Sequence, residues 1–401
     1  DASRSGEAQG APAVGAFTGA HRDSWAAARQ QLLVDGHKAF LEAVQSAILV
    51  VCLDDSTPST RDEVARALWH GNGDARNRWY DKTHQIVVFA NGKAGMVGEH
   101  SQFDGQPSVS AADFMLQHER VVLNEVASEE NTASSTAWPW RSSTSHSNAL
   151  PGIRNLSLEL LHRGVWSTES EWNLANARRE MGDLAERHDV STLSFRLGGK
   201  KMIKSFKMSP DAFAQMAIQL AYYRKFGTQR ATYEPFSMSA YRHGRTETVR
   251  VVSSESRAFV EAMCDRHCTS SERLAALRAA ASQHIKYIKT AAGGAACDRH
   301  LWGLRKCIRE EEDLPGIFAD PTYWRTCTWH VSTSNLSNDL FDGWGWGEVV
   351  PDGLGIAYST NSEVLLFNVA SCRGWSGDMC ARIEQALMDM CSMCVAGSSK
   401  A

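Results

Sequence analysis

The sequence predicts an α/β fold, in which helices alternate with short apolar strands. Near its start, helical segments over Ser24–Leu33 and Phe40–Ala47 lead into the apolar run Ala47–Leu53. Asp23 or Ser24 can cap the first of these helices. The apolar run is far shorter than the roughly 20 residues that a membrane-spanning helix needs. We therefore predict that the run forms a buried strand.

A β-hairpin is predicted farther along. The stretch Gln85–Ala90 is rich in β-branched and aromatic residues, Asn91-Gly92 is a strong turn signal, and Lys93–Gly98 resumes extended structure. His100 comes directly after this hairpin.

The second half of the chain continues the alternation. A helix is expected to open at Ser209-Pro210, because serine caps well and proline suits the first helical position. The other predicted elements are a helix over Ser167–Arg187, a strand over Thr192–Arg196, helices over Arg257–Met263 and Ser271–Thr290, and a strand over Val364–Val369.

Length and composition limit the possible functions. At 401 residues, 43% hydrophobic and 22% charged, the chain is expected to form two globular domains. A net charge of −4 gives no overall attraction to nucleic acid or anionic membrane. The ten cysteines are scattered, as in a reducing compartment. Cys391 and Cys394 form a lone C-x-x-C without further ligands, so we predict core positions in a terminal helix and no metal site.

Two composition changes suggest the domain boundaries. Residues 1–20 are rich in glycine, alanine and serine, and a disordered or truncated start is expected there. A stretch rich in serine, threonine and proline lies at about 128–152 and is typical of a surface loop. We therefore predict one domain over residues 21–150 and a second over 151–401.

Several clusters of polar residues could carry chemistry. His100, with Asp104 four residues later, could serve as a general base, although a histidine in a turn is more often simply solvated. Lysines at 200, 201, 204 and 207 could bind phosphate or form a solvated basic loop. The remaining clusters, which could equally be ordinary caps or salt bridges, are Tyr241–Arg250, Cys297–Arg305 and Ser332-Thr333-Ser334.

In chain order these clusters resemble the choline/carnitine acyltransferase family, from about Trp25 to the C-terminus. The matching segments are Asn77–Lys82, Gly98–Ser101, Lys200–Lys204, Thr232–Glu234, Gly244–Thr248, Asp298–His300 and Ser332–Ser334. Stretches without assigned chemistry also match, namely Ser209–Phe213, Ala221–Tyr223 and Val349–Gly353.

The resemblance implies two chloramphenicol-acetyltransferase-like α/β domains that face each other across an active-site tunnel. The family's front portion has no counterpart here, so the domain over 21–150, which carries the histidine turn, is expected to be incomplete. The domain over 151–401 is expected to bind coenzyme A and carnitine. The implied reaction is reversible transfer of a short acyl group, most simply acetyl, between these two partners. Coenzyme A is a co-substrate, and no permanently bound cofactor is expected.

Roles follow residue by residue from the family. His100 is the general base, Asp104 orients its loop, and Ser334 hydrogen-bonds the oxyanion. The other implied contacts are Lys200 and Lys204 with the phosphates of coenzyme A, Tyr233, Thr246, Thr248, Arg299 and Ser332 around carnitine, Trp346 near its trimethylammonium group and Trp344 in the acyl pocket.

Other functions within or near this family stay open. They are a medium- or long-chain carnitine acyltransferase, a choline acetyltransferase, and a fragment that binds acyl-CoA or carnitine without turnover. Bulky Trp344 favours a short acyl chain, and the Thr246-Glu247-Thr248 run with Arg299 favours carnitine over choline. A monomer in the mitochondrial matrix or peroxisome is expected, with no nucleic-acid partner and no transmembrane segment.

Overall fold

The computed structural model describes residues 12–101, 103–131, 165–310 and 312–398, without the side chains of 119–131 and 398. The chain divides into two compact units between Glu186 and Arg187. Each unit contains helices and one sheet, so the predicted α/β class is confirmed. The domain boundary predicted at residues 150 and 151 lies outside the described residues.

The first unit combines a helical core with a small sheet. Its helices are α1 (Ala16–Gly19), α2 (Arg22–Val34), α3 (Lys38–Ser46), α4 (Arg61–His70), α5 (Gly105–Asn131) and α6 (Thr168–Arg187). Its strands are β1 (Val50–Asp54), β2 (His84–Phe89) and β3 (Ala94–Gly98), with β1 parallel and β3 antiparallel to β2.

The start of the described chain belongs to the helical core. Phe17 is only 1% exposed and stacks on Trp25. A Cβ atom on Gly15 would lie 2.2 Å from the backbone oxygen of Arg78, so the chain packs closely against a neighbouring loop. A disordered or truncated start was expected over residues 1–20. Residues 12–20 are packed, because their apolar side chains fill a core that their composition did not reveal.

Strand β1 differs from the prediction for Ala47–Leu53. It lies at the edge of the sheet, and of its five residues only Cys52 is buried. Ile48 and Leu53 are 91% and 75% exposed. The prediction of a buried strand is therefore wrong for most of the run. An apolar run does not reveal whether its strand lies at the edge of a sheet, where, in the part of the chain that the structure describes, most of the β1 side chains are not buried.

The second unit is built on a larger mixed sheet. Its strands are β4 (Asp189–Phe195), β5 (Thr232–Ser237), β6 (Thr246–Arg250), β7 (Val331–Asn335), β8 (Leu354–Thr360) and β9 (Leu365–Ser371), in the order β4-β9-β8-β7-β5-β6. Its helices are α7 (Lys200–Ser205), α8 (Pro210–Phe226), α9 (Ser254–Cys264), α10 (Ser270–Ala292), α11 (Asp298–Lys306), α12 (Gly316–Ala319), α13 (Pro321–Cys327) and α14 (Ser376–Ser398).

Helix α8 shows how the sequence directs this core. The Ser209 side chain accepts a hydrogen bond from the Ala212 amide, and Pro210 occupies the first turn, as predicted. Residues 212–222 are all buried, since the helix lies between the sheet and helices α9, α10 and α14. Strand β8 is likewise buried along its whole length. These elements provide a rigid base for the side chains at the edges of the sheet.

Helix α14 closes the second unit and carries both residues of the C-x-x-C pair. Cys394 is buried and Cys391 is half-buried, in the terminal helix predicted for them. Among the helices that the structure describes, none combines the length and the apolar character needed to span a bilayer.

Candidate active site

A histidine turn follows the sheet of the first unit. Strand β3 ends at Gly98 and helix α5 begins at Gly105, so His100 lies in the short connection. Its Nδ1 atom is 2.7 Å from the backbone oxygen of Phe103. A carbonyl oxygen can only accept a hydrogen bond, so Nδ1 carries the proton. In the neutral imidazole this contact leaves the lone pair on Nε2.

Neighbouring contacts hold the turn in place. The Phe103 ring packs edge-on against His84, with 4.7 Å between the ring centroids. His84 Nε2 lies 2.9 Å from the Ser108 hydroxyl in α5. Asp104 Oδ1 is 3.8 Å from His100 Nδ1, and the His100 side chain is 74% exposed. The turn thus orients the imidazole while leaving most of its surface open.

The Ser-Thr-Ser run lies on β7, inside the sheet of the second unit. Since side chains alternate along a strand, Ser332 and Ser334 share one face and Thr333 lies on the other. Thr333 Oγ1 accepts a hydrogen bond from Gln215 Nε2 (2.8 Å) and donates to the backbone oxygen of Tyr233 (2.8 Å). No described residue hydrogen-bonds the Ser334 hydroxyl. Thr333 is therefore buried and held by two hydrogen bonds. The hydroxyl groups of Ser332 and Ser334 lie on the opposite face of β7.

Arg299 forms hydrogen bonds with two of the other residues predicted to bind carnitine. Its Nη2 atom donates to the Tyr233 hydroxyl (3.2 Å) and to Thr246 Oγ1 (3.3 Å), and Nε donates to the Thr246 backbone oxygen (3.1 Å). Thr248 is engaged elsewhere, because its hydroxyl donates to Asp298 Oδ2 (2.9 Å). The structure thus groups Arg299, Tyr233 and Thr246, and assigns Thr248 a contact with the neighbouring acid.

Asp298 holds two guanidinium groups around this cluster. It forms ion pairs with Arg250 and, at 3.4 Å, with Arg299. Arg250 also lies over the ring of Trp329, 5.0 Å from its centroid, and that ring packs edge-on against Tyr233. Arg299 is held in this arrangement with its side chain 41% exposed. Trp329 adds an aromatic wall that the sequence had not indicated.

The predicted phosphate-binding lysines lie on one short helix. Lys200 and Lys204 are four residues apart in α7, so they project from the same side, and both are exposed. Gly199 caps this helix against the loop after β8. A Cβ atom there would lie 2.5 Å from the backbone oxygen of Asn361, so only glycine allows the close approach.

The two tryptophans of the predicted substrate pocket lie in the segment before β8. Their rings are 5.0 Å apart, and both side chains are half-buried. Trp344 Nε1 donates a hydrogen bond to the Tyr358 backbone oxygen (3.2 Å). The Trp344 ring is thereby anchored to the sheet, and Trp346 packs against it.

A buried polar network under the sheet was missed by the sequence reasoning. His284 Nε2 in α10 lies 3.0 Å from Glu234 Oε2 and 3.4 Å from Asp211 Oδ2. The Tyr358 hydroxyl is 2.7 Å from Asp211 Oδ1 and 2.8 Å from Glu234 Oε1. Asn335 Nδ2 donates to Asp211 Oδ1 (3.0 Å). The network links α8, α10, β5, β7 and β8.

Protonation in this network follows from burial and from the number of available protons. Burial alone would lower the pKa of His284, but hydrogen bonds and charges from Asp211 and Glu234 outweigh it and raise the pKa to about 9. Burial and the Asp211 charge raise the pKa of Glu234. Tyr358 has one hydroxyl proton for two carboxyl groups, so a proton on Glu234 satisfies the second contact. Both pKa values are raised, which favours a proton on His284 and a proton on Glu234.

Local sequence patterns explain why these residues were missed. Asp211 follows Ser209-Pro210 and resembles an ordinary acid in a helix first turn. His284 lies in the middle of α10 among residues of helical periodicity, where a buried histidine cannot be told from a surface one. Glu234 stood within a matched segment without a role. Only the pairing of β5, β7 and β8 beneath α8 and α10 brings the groups together.

Comparison with known proteins places the chain among acyltransferases. The Choline/Carnitine o-acyltransferase family model matches residues 1–388. The mitochondrial carnitine O-acetyltransferase of Saccharomyces cerevisiae is 34% identical over 93% of the chain, and the human carnitine O-acetyltransferase is 32% identical over 94%. The choline O-acetyltransferase of Gallus gallus is 32% identical over 97%. Sequence identity therefore does not separate the two acceptors.

The alignments cover nearly all of this chain but only part of each relative. The chain spans 53%, 59% and 60% of the length of these three relatives. Among solved structures, a wax ester synthase/diacylglycerol acyltransferase from Marinobacter aquaeolei superposes with a TM-score of 0.40 and 11% identity, over 85% of this chain and 78% of that one, which is too remote for inference. The family match covers nearly all of the chain, and so the chain belongs to the choline/carnitine acyltransferase family.

Proposed function

We propose that this chain catalyses reversible transfer of a short acyl group, acetyl first of all, between coenzyme A and the hydroxyl of carnitine. The observation that carries the proposal is the cluster of Arg299, Tyr233 and Thr246, in which a guanidinium and two hydroxyl groups converge. Such groups bind a carboxylate through charge-assisted hydrogen bonds. Carnitine has a carboxylate and choline has none, so this cluster favours carnitine.

The proposed reaction uses one base and one oxyanion donor. His100 Nε2 takes the hydroxyl proton of carnitine as that oxygen attacks the thioester carbonyl. The Ser334 hydroxyl donates a hydrogen bond to the oxyanion of the tetrahedral intermediate. The intermediate collapses, the carbon–sulfur bond breaks, and the proton passes from His100 to the departing coenzyme A thiolate. The reverse reaction begins with deprotonation of the thiol, and no acyl-enzyme forms.

Acyl-coenzyme A would be bound through its phosphates by lysine side chains, and its acyl group would lie against a tryptophan. Lys200 and Lys204 lie together on the exposed face of α7, where their ammonium groups can meet phosphates. Trp344, hydrogen-bonded to the backbone of β8, is the group proposed to limit acyl length. Trp346 is proposed to contact the trimethylammonium group through its ring face. Asp104 is proposed to orient the histidine loop.

The same proposal implies a cellular location. Carnitine-dependent acyl exchange would place the protein in the mitochondrial matrix or the peroxisome, and the name of the yeast relative includes the word mitochondrial.

A thiol-release assay tests the function directly. The purified protein is given acetyl-CoA or palmitoyl-CoA as donor and carnitine or choline as acceptor, and the freed coenzyme A is followed with a thiol-reactive dye. We expect the highest kcat/KM with acetyl-CoA and carnitine, and a value at least about tenfold lower with choline, since one lost charged contact is worth about 1.4 kcal/mol or more.

Each other outcome rejects a defined part of the proposal. Faster turnover with palmitoyl-CoA would exclude the short-chain assignment, and faster turnover with choline would exclude the acceptor assignment. If no donor and acceptor pair releases thiol while calorimetry shows acetyl-CoA binding, the chain is a binding fragment without catalysis.

A further inference from the structure

Two side chains that the proposed reaction does not use meet at one end of the large sheet. His188 immediately precedes β4, and Cys372 immediately follows β9. The two strands are antiparallel neighbours, and Asp189 is paired with Ser371. His188 and Cys372 are therefore the next residues along the same ladder. Their side chains approach to 3.0 Å between Nε2 and Sγ.

A carboxylate from a separate segment completes the group. Glu348 lies in the segment that precedes β8, and β8 pairs with β9 on the side away from β4. A Cβ atom on Gly355 of β8 would lie 2.6 Å from the Gly347 backbone oxygen, so this segment rests directly on the strand. The close backbone contact holds Glu348 over the same end of the sheet as the other two residues.

The three ligand atoms form a tight triangle. Glu348 Oε1 is 2.8 Å from His188 Nε2 and 2.5 Å from Cys372 Sγ. The Glu348 side chain is only 5% exposed. Its second oxygen, Oε2, is buried and has no hydrogen-bond partner among the described residues. A buried carboxylate oxygen without a partner is costly, and a cation that both oxygens of Glu348 bind would satisfy it while keeping Oε1 beside His188 and Cys372.

The backbone around the triangle is fixed by further hydrogen bonds. The Asp189 carboxylate accepts the Gly374 amide (3.1 Å) and the Ser376 amide (2.8 Å). The Ser371 hydroxyl oxygen accepts the Arg373 amide (2.9 Å). The turn that carries Cys372 is thus tied to the start of β4 beside His188. These hydrogen bonds fix the backbone beside two of the three residues.

We propose that His188, Glu348 and Cys372 bind a zinc-class divalent ion through Nε2, the carboxylate and the thiolate. Imidazole, carboxylate and thiolate are the ligands that zinc takes in proteins, whereas magnesium and calcium prefer oxygen alone. Three protein ligands leave a fourth position for water. Tetrahedral bonds of about 2.0–2.3 Å set donor atoms about 3.3–3.6 Å apart. Glu348 Oε1 and Cys372 Sγ, now 2.5 Å apart, must therefore separate by about 1 Å as the ion enters.

Binding of the ion requires that the thiol lose its proton, which leaves to solvent. Burial and the hydrogen bond to Glu348 raise the pKa of Cys372 to about 12. The thiol is thus a hydrogen-bond donor to Glu348 and poorly suited as a nucleophile. Since Glu348 is two residues from Trp346, a bound ion would also tie the tryptophan segment to β4 and β9. The metal proposal does not depend on the proposed acyl transfer.

Cobalt binding tests the site, because cobalt(II) replaces zinc and reports its ligands by absorption. The reduced, chelator-treated protein is titrated with Co²⁺. We expect one equivalent to bind, with the intense visible bands of a tetrahedral site and a thiolate charge-transfer band, and we expect Zn²⁺ to bleach both. Cys372→Ser should abolish the charge-transfer band, and Glu348→Gln should weaken Co²⁺ binding by about tenfold or more.

The matched control is Cys391→Ser, which removes a half-buried thiol of the C-x-x-C pair and should leave the bands unchanged. The proposal fails if the unaltered protein binds no stoichiometric Co²⁺, if the charge-transfer band survives in Cys372→Ser, or if the band is lost in Cys391→Ser. Circular dichroism checks that each variant is folded. Should Cys372→Ser be unfolded, Glu348→Gln decides, and unweakened binding in that variant overturns the site.

Discussion

The sheets of the two units differ in how fully they are covered. All seven residues of β8 in the second unit are buried, whereas β1 in the first unit buries one residue of five. Strand β8 lies between two neighbours and beneath helix α8, and β1 is an edge strand. Both units hold charged groups out of water, as the Arg78–Asp54 ion pair shows for the first. The difference between them is that His100 follows the small sheet at an exposed turn, whereas the larger sheet of the second unit has a fully buried central strand.

This difference determines how each unit positions a side chain. His100 is oriented by the backbone oxygen of its own turn, three residues away in sequence. Arg299 is oriented by Tyr233 and Thr246, 66 and 53 residues away. A local turn can position one exposed base, whereas binding a carboxylate needs donors from several strands. Substitutions in the two places should consequently have different effects.

The largest effect is expected for His100→Ala. Loss of a general base typically lowers the rate by about 10²- to 10⁴-fold. Acetyl-CoA affinity should change little, because the proposed phosphate contacts belong to Lys200 and Lys204. Steady-state kinetics and calorimetry would measure the two quantities separately.

The matched control for this variant is His118→Ala. His118 is also exposed, and its Nδ1 atom also bonds a backbone oxygen, that of Phe114 at 2.7 Å. Its loss should leave turnover unchanged. Equal losses in both variants would mean that His100 acts on the structure of the turn and not on the reaction.

Arg299→Asn should change the acceptor preference next most strongly. A hydrogen bond to a charged group is worth about 1.5–3 kcal/mol, and the partial exposure of Arg299 favours the lower end, so kcat/KM for carnitine should fall by about ten- to a hundredfold. Choline has no carboxylate to lose, so its use should be unchanged or slightly improved. Kinetics with both acceptors would measure the ratio.

Arg305→Asn in the same helix is the control, since Arg305 packs over the Trp324 ring. Equal losses with carnitine and choline in Arg299→Asn would make Arg299 a structural residue, held by Asp298.

The covered sheet should show a pH-dependent stability from His284. Its pKa is raised from 6.5 to about 9, so its stabilising contribution is complete below about pH 6.5 and is lost as the pH rises through about 9. We expect the free energy of unfolding to fall by about 3 kcal/mol across this window, or several degrees in Tm. His284→Gln should be less stable at low pH and show a flatter profile.

Thermal unfolding at several pH values would measure this profile. The exposed His267, replaced by glutamine, should keep the parent slope. An unchanged slope in His284→Gln would show that the network does not hold a proton on that imidazole.

The smallest effect is expected for the exposed pair Lys200 and Lys204. Replacing both with alanine should raise KM for acetyl-CoA by about three- to tenfold, because exposed charges contribute up to about 1 kcal/mol each and are screened by salt. The increase should be smaller for the dephospho-coenzyme A thioester. Lys201→Ala is the control, since Glu363 already pairs with Lys201. Equal increases for both thioesters would contradict phosphate binding by this pair.

Part of the secondary structure could be predicted from local patterns, although strands β5 to β8 were not. The helix that begins at Ser209-Pro210, the hairpin at Asn91-Gly92 and the strands on either side of it depend on capping, turn chemistry and side-chain period, all of which act over a few residues. Burial was harder to predict, as β1 shows, because an apolar run does not indicate which elements pack against it.

The candidate site divides in the same way. The family resemblance led to His100, Ser334 and Arg299 as single residues, but no short pattern indicated that Thr248 contacts Asp298 or that Trp329 stands beside Tyr233. These contacts join residues about 50 and 100 positions apart in the numbering. They exist only because β5, β6 and β7 are neighbours in one sheet.

The sequence by itself determined the α/β class, part of the helix and strand positions, and the family. The tertiary structure alone decided which of these groups meet. Asp211, Glu234 and His284 share a proton-rich network, and His188, Glu348 and Cys372 converge at one sheet end, because strand order brings distant segments together. The preference of a segment for helix, strand or turn depends on residues that are neighbours in sequence. Strand order depends on how the whole chain buries its apolar surface.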